Sequence, residues 1–87
     1  MSMQVKLARS ASKQLKALPV EVQRRVIASL RAIQQDPTSG TKLLGAFAVS
    51  RRYRVGSYRI VYQVREEESL ILIENIRHRG RVYRKGG

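Results

Sequence analysis

Residues 50–65 read SRRYRVGSYRIVYQVR, and this stretch decides the fold because two alternating runs meet at a glycine dipeptide. Segments 50–55 and 58–65 favour strands, and a Gly-X pair between two such runs is typical of a type II′ hairpin. We therefore expect Gly56-Ser57 to form the whole loop. The register that follows pairs Val55 with Tyr58, Arg54 with Arg59, Tyr53 with Ile60, and Arg52 with Val61.

The two faces of this hairpin differ in chemistry, because opposed residues share a face and faces alternate along each strand. One face is apolar and aromatic, and we expect helices to cover it: Tyr53, Val55, Tyr58, Ile60, Tyr62 and Val64. The other face is mostly polar: Arg52, Arg54, Arg59, Val61, Gln63 and Arg65. Like charges opposed across strands destabilise a sheet, so the converging arginines suggest a bound anion. The alternative is a solvated face whose cations discourage edge aggregation.

Upstream of the hairpin, the periodicity is mostly helical. Val5 and Leu7 alternate with polar neighbours and indicate a short first strand. Ser10 is a candidate N-cap for a first helix, and Pro19 ends that helix or begins the next one. The apolar positions predicted for the two helices are Ala11, Leu15 and Leu18, then Val22, Val26, Leu30 and Ile33. Asp36-Pro37 stops the second helix, and a loop follows at 38–40.

Downstream of the hairpin, Glu66-Glu67-Glu68 indicates a turn, and Leu70–Ile73 is apolar on both faces, as a central strand should be. A basic tail is expected from Arg77 to Gly87. The predicted order is βααβββ. This is an α+β fold in which two N-terminal helices pack on one face of a small, mainly antiparallel sheet.

The composition points to a single domain, residues 1–87, with polyanionic partners. Eighteen Lys and Arg against six Asp and Glu give a net charge of +12, which favours nucleic acid first, an acidic protein second and an anionic membrane a distant third. The chain contains no cysteine and one histidine, which leaves little for a metal site or a cofactor. No apolar run is long enough to span a bilayer and no signal peptide is evident, so we expect a cytoplasmic protein.

Three kinds of side chain are candidates for chemistry. Arginine pairs bidentately with phosphate but stays charged, so it is a poor general base. His78 is a candidate proton carrier, or a bystander in the basic tail. Tyr83 could stack on a base or donate a proton, or could anchor the C-terminal segment by packing.

The run from Arg54 to Tyr62 resembles the R-x-G-x-Y-R-x-x-Y signature of the RelE/ParE toxin superfamily. Other pieces, in the same order as in that family, resemble its helix pair, its L-x-G lead into the sheet and its closing H-R-x-x-V-Y: Lys13–Pro19, Asp36-Pro37, Lys42–Gly45 and Arg77–Tyr83. The resemblance covers nearly the whole chain. It implies the toxin of a type II toxin–antitoxin system, neutralised by an antitoxin from the same operon. Because the chain carries a net charge of +12, we expect this antitoxin to provide an acidic segment that folds across the toxin surface as a helix in a groove.

The RelE branch of the superfamily cuts mRNA in the ribosomal A site, whereas the ParE branch poisons DNA gyrase and lacks the basic catalytic set. Carried over by position, the resemblance implies catalytic roles for Arg52, Arg54, Arg59, Arg79 and Tyr83, with His78 as an alternative proton carrier. The chain departs from the family in having arginine where the two strand positions are often lysine, and in a short closing segment. Both departures leave the general base open.

Three functions follow as hypotheses. The first is a ribosome-dependent mRNA endonuclease that contacts mRNA and rRNA and needs no metal. The second is a ParE-like toxin that binds a protein target such as gyrase and cuts nothing. The third is a non-toxic module that binds RNA or the ribosome.

Overall fold

The computed structural model of the chain describes residues 3–43 and 50–78. In chain order the elements are β1 (Gln4–Leu7), α1 (Arg9–Lys16), α2 (Val20–Gln35), β2 (Thr41–Lys42), β3 (Ser50–Val55), β4 (Tyr58–Arg65), a 3₁₀ turn (Glu66–Glu68) and β5 (Leu70–His78). The described strands form one sheet in the order β1-β5-β4-β3-β2. β1 pairs with β5 in parallel, and the other pairs are antiparallel. The predicted α+β fold is confirmed, with β2 as an edge strand that the sequence did not indicate.

The hairpin of β3 and β4 has the register expected from its loop. Val55 pairs with Tyr58 and Arg54 with Arg59, and the pairing continues without a shift to Ser50 and Gln63. Gly56 has a φ of +60°, as the first loop position of a type II′ turn requires and as side-chain-bearing residues rarely adopt. The glycine therefore fixes which residues of the two strands face each other.

The core lies between the helices and one face of the sheet. Ala11 of α1 and Val26, Leu30 and Ile33 of α2 are buried against the sheet, at the positions that the helical periodicity predicted. The sheet contributes the buried side chains of Val55, Ile60, Tyr62, Ile71, Ile73 and Ile76, with Tyr53 and Val64 packed against them. The apolar face predicted for the hairpin is thus confirmed as the helix-covered face; we call the opposite one the outer face.

The start of α1 differs from the prediction. The helix begins at Arg9 and its N-cap is Ala8, which makes no side-chain cap hydrogen bond. Ser10 lies inside the helix, and its hydroxyl donates to the backbone carbonyl of Glu74 at 3.0 Å. The prediction of Ser10 as a cap was wrong, because its hydroxyl donates instead to a backbone carbonyl of β5, a strand distant in sequence. Pro19 is the N-cap of α2, which ends at Gln35 before Asp36 as predicted.

β5 is longer than the predicted strand of residues 70–73. It stays paired with β4 as far as Tyr58, which faces His78. Because Val61 faces Asn75 while Tyr62 faces Ile73, Glu74 is an extra residue in the ladder, a β-bulge. Arg77 and His78, expected in a loose basic tail, are therefore strand residues. No helix in the described ranges is long and apolar enough to cross a membrane.

Candidate nucleic-acid interface

Three arginines lie side by side on the outer face, one on each of three neighbouring strands. Arg54 of β3 pairs with Arg59 of β4, and Arg59 pairs with Arg77 of β5. We call these three residues the arginine row. Since Val55 and Tyr58 flank the two-residue loop, Arg54 and Arg59 form the next, non-hydrogen-bonded pair, where Cα atoms are about 4.5 Å apart and side chains are closest. Arg54 and Arg77 are exposed and Arg59 is half-buried.

The acidic residues lie away from the arginine row in the sheet. Glu66, Glu67 and Glu68 follow the far end of β4, and Glu74 sits in the bulge with its carboxylate bonded by the amide of Gln63. Arg65 pairs with Glu68 at 3.5 Å, and its Nε donates to the side-chain amide oxygen (Oε1) of Gln63 at 3.1 Å. On the outer face, the positive charge of Arg65 is therefore balanced by glutamates at the C-terminal end of β4, whereas the hairpin end is cationic. This charge distribution directs an anion toward the arginine row.

Arg52 extends the row along β3. It pairs with Val61 on one side and with Thr41 of β2 on the other, and its side chain shares the outer face with Arg54, two residues on. The face predicted to carry Arg52, Arg54 and Arg59 together is thus confirmed by the register.

A buried clamp holds the loop that leads into β2 and so fixes the edge of the sheet beside Arg52. The Tyr62 hydroxyl donates to the carbonyl of Pro37 at 2.8 Å and accepts from the N–H of Gly40 at 3.0 Å. The Arg51 guanidinium donates to the carbonyl of Gly40 at 2.8 Å. A Cβ at Gly40 would lie 2.6 Å from the Tyr62 hydroxyl and 2.9 Å from the carbonyl oxygen of Arg52, so only glycine fits there.

Burial raises the pKa of Tyr62, against the opposing effects of the Gly40 hydrogen bond and the Arg51 charge. The neutral hydroxyl is the form that can both donate to Pro37 and accept from Gly40. Tyr62, the last residue of the family-like run, therefore acts in holding the fold, and its ring lies on the helix side of the sheet, away from the arginine row.

His78 does not join the arginine row. It pairs with Tyr58, which places both on the helix-side face, and the two rings meet edge to face with centroids 5.0 Å apart. Arg79 and Tyr83, the remaining predicted catalytic residues, lie outside the described residues, and so does Leu44-Gly45 of the predicted lead into the sheet.

Arg77 is the site residue that the sequence reasoning missed. Counted by simple alternation from Ile71 and Ile73, Arg77 would share their buried face. The bulge at Glu74 adds one residue, so that Ile76 becomes buried and Arg77 joins Arg59 on the outer face. The spacing of three between Ile73 and Ile76, with polar residues between them, is the sequence signal that could have revealed the bulge.

At the far end of the sheet, an open cleft of about 560 Å³ is lined by cations and acids together: Lys42, Arg51, Gln63, Val64, Arg65 and Glu66–Glu68. Its three glutamates would repel a phosphate, so the cleft is a poorer polyanion site than the arginine row. Within the described ranges, no three His, Cys, Asp or Glu side chains come together as a metal site would need.

The arginine row can hold a phosphodiester. Guanidinium groups present planar pairs of N–H donors that match two phosphate oxygens, and three on adjacent strands can surround one phosphate group. An anion between them would offset the repulsion among the arginines. Because arginine does not lose its proton, the row can stabilise developing negative charge but cannot remove a proton.

In the described residues, two helices packed on a five-stranded mixed sheet match the fold of solved RelE toxins. The RelE–RelB complex from Pyrococcus horikoshii OT3 matches with a TM-score of 0.79 and 29% identity, over 93% of this chain and 99% of that one. The RelBE2 toxin–antitoxin complex of Mycobacterium tuberculosis matches with a TM-score of 0.81 and 23% identity, over 91% and 100%. The isolated E. coli RelE toxin matches in fold with a TM-score of 0.79 and 19% identity, over 97% and 94%.

The family profile described as the ParE toxin of type II toxin–antitoxin system, parDE, matches residues 5–83. No sequence among the curated proteins matches the chain. The profile match spans nearly the whole chain, so the chain belongs to this family, within the RelE/ParE superfamily, and is the toxin of a type II toxin–antitoxin system.

Proposed function

We propose that the chain is a ribosome-dependent mRNA endonuclease that acts in the cytoplasm and grips the scissile phosphate with its arginine row. The observation that carries the proposal is the alignment of Arg54, Arg59 and Arg77 across three strands. The ParE branch of the superfamily is expected to lack a basic catalytic set, so a toxin that only binds a protein would have no use for this costly arrangement of like charges.

The proposed reaction is attack of a ribose 2′-oxygen on the adjacent phosphorus. The new bond is O2′–P, the P–O5′ bond breaks, and the products are a 2′,3′-cyclic phosphate and a 5′-hydroxyl end. The proton of the 2′-hydroxyl leaves and one proton reaches the departing 5′-oxygen. Arg59, flanked on both sides, would stabilise the charge on the phosphorane oxygens, while Arg52 and Arg54 would position the backbone.

Proton transfer needs a group other than arginine. Tyr83 and His78 are the candidates that the resemblance implies, with Arg79 as a further cation. The pairing of His78 with Tyr58 on the helix-side face favours Tyr83 as the proton carrier.

A second candidate function follows from the family profile, which is that of a ParE toxin. In that case the chain would inhibit DNA gyrase by binding it, without cleaving RNA. Cell-free translation followed by primer extension on the message, run beside a gyrase supercoiling assay, separates the two. We expect defined cuts and normal supercoiling; an intact message with blocked supercoiling would overturn the proposal.

The Pyrococcus and Mycobacterium relatives were crystallised as toxin–antitoxin complexes. By analogy, we expect this chain to form a hetero-oligomer with an acidic cognate antitoxin that is disordered when free and folds on binding. Calorimetry should show a large unfavourable entropy and an affinity that falls as salt rises. A neutral or basic antitoxin whose affinity ignores salt would contradict this expectation.

A further inference from the structure

The hairpin tip, Gly56-Ser57, carries a cation on the side opposite the arginine row. A Cβ at Gly56 would lie 3.5 Å from Nη2 of Arg25 and 3.9 Å from both its Cζ and Nη1. These distances put the guanidinium group in ordinary van der Waals contact range of the glycine, with Nη2 nearest. Arg25 belongs to α2, so the helix layer and the tip are in contact at this point.

The contact leaves the binding edges of the Arg25 guanidinium available. Glycine has no side chain that could accept a hydrogen bond, so the contact does not use up the N–H donors of the guanidinium group. No described residue takes one of these donors, and Glu21, one turn earlier on α2, forms no ion pair with it. The residue is exposed. An exposed guanidinium whose donors no described residue takes is suited to bidentate contact with a phosphate.

The tip is narrow enough for one strand of nucleic acid to meet both sides. Arg54 is two residues before Gly56 along β3, about 7 Å at the rise of a strand. The path from Arg25 to the arginine row therefore crosses only the two-residue turn and the end of β3, a span that a few nucleotides of a flexible single strand can cover.

We propose that the RNA path continues from the arginine row around the hairpin tip, where Arg25 binds a backbone phosphate within a few nucleotides of the cleaved one. The ligand is the phosphodiester backbone of single-stranded RNA, and the contact is independent of base identity. This inference rests on the proposed function, from which the identity of the strand as RNA is taken. It assigns a binding role to α2 and leaves the chemical step to the hairpin arginines.

The experiment measures binding of a 2′-O-methyl RNA of about 12 nucleotides, within the usual range of single-strand site sizes. This RNA has no free 2′-hydroxyl, so it binds but does not react. Arg25→Gln should weaken binding about 3- to 10-fold at low salt, as one exposed cation–phosphate contact implies. It should also reduce the slope of log affinity against log salt by about 0.7.

Arg31→Gln is the matched control, because it removes the same charge from an exposed position of the same helix about 9 Å further along. It should leave the slope unchanged, and thermal unfolding of both variants should match the wild type. Equal effects of the two substitutions, or wild-type binding that does not respond to salt, would overturn the inference.

The outcomes for cleavage and for binding are distinguishable. If the wild type cuts ribosome-bound message but Arg25→Gln binds like Arg31→Gln, the inference is wrong and the proposed function stands. If the wild type cuts nothing while Arg25→Gln alone lowers the salt slope, the proposed function is wrong and the tip contact stands.

Discussion

Arg59→Ala is the substitution that should separate catalysis from folding most sharply. Arg59 is the middle member of the arginine row, flanked by Arg54 and Arg77, and its side chain lies on the outer face, away from the core. A unit charge about 4 Å from a developing phosphorane charge is worth about 4 kcal/mol at an effective dielectric constant of about 20. This figure agrees with the 100- to 1000-fold rate loss typical when one preorganised donor is removed.

The assay is cleavage of ribosome-bound message under single-turnover conditions, with circular dichroism to confirm that the variant is folded. Arg59→Lys should recover only part of the rate, because an ammonium group cannot contact two phosphate oxygens as the guanidinium fork does. Arg65→Ala is the matched control: it lies on the same strand and face, but it is paired with Glu68 at the C-terminal end of β4. It should lose far less activity.

Arg59 does not stabilise the transition state if Arg59→Ala cleaves at near the wild-type rate, or if Arg65→Ala loses as much activity as Arg59→Ala. A variant that unfolds would show that Arg59 has a structural role and that the outer face was misread.

Three further predictions concern stability. Tyr62→Phe removes both hydrogen bonds that the Tyr62 hydroxyl makes and should lower the free energy of unfolding by about 1–3 kcal/mol in urea titrations. Because burial raises the pKa of Tyr62, the stability advantage of the wild type should be full below a pH of about 10 and shrink as pH rises above it; an advantage that grows there would contradict this. Gly40→Ala places a Cβ 2.6 Å from the Tyr62 hydroxyl and should cost about 1–3 kcal/mol in the same titration, so an unchanged midpoint would disprove the close fit. Arg54→Gln relieves one like-charge pair and should raise stability by about 0.2–1 kcal/mol at low salt and less at high salt. Thermal unfolding at both salt concentrations checks this, and a loss of stability would mean that the pair is not repulsive.

The hairpin could be predicted from sequence because its information is local. The Gly56-Ser57 dipeptide fixes the loop length, the loop length fixes the register, and the register decides which side chains share a face. The two helices were equally accessible, because Val26, Leu30 and Ile33 repeat with helical spacing and Asp36-Pro37 marks the end. Three of the predicted site residues, Arg52, Arg54 and Arg59, are placed together on this basis alone.

What the sequence could not show depends on contacts distant along the chain. The bulge at Glu74 shifts by one residue the alternation of β5 side chains between the two sheet faces, and so brings Arg77 to the outer face. A shift of one residue changes the hydrophobic pattern of the sequence only slightly. β2 exists because Gly40 can approach Tyr62 and the Arg52 carbonyl closely. Ser10 looked like a cap because its true partner, the Glu74 carbonyl, is 64 residues away.

Attack by the 2′-oxygen at the arginine row is tested most directly with a ribosome-bound message that carries a single 2′-deoxynucleotide. This nucleotide stands at the position that is cut in the unmodified message. If the arginine row stabilises in-line attack by the 2′-oxygen, the unmodified message is cut to leave a 5′-hydroxyl end and the substituted message is not cut at that position. Cleavage of the substituted message at the unmodified rate, or no cleavage of either message, would show that the chain does not catalyse attack by the 2′-oxygen.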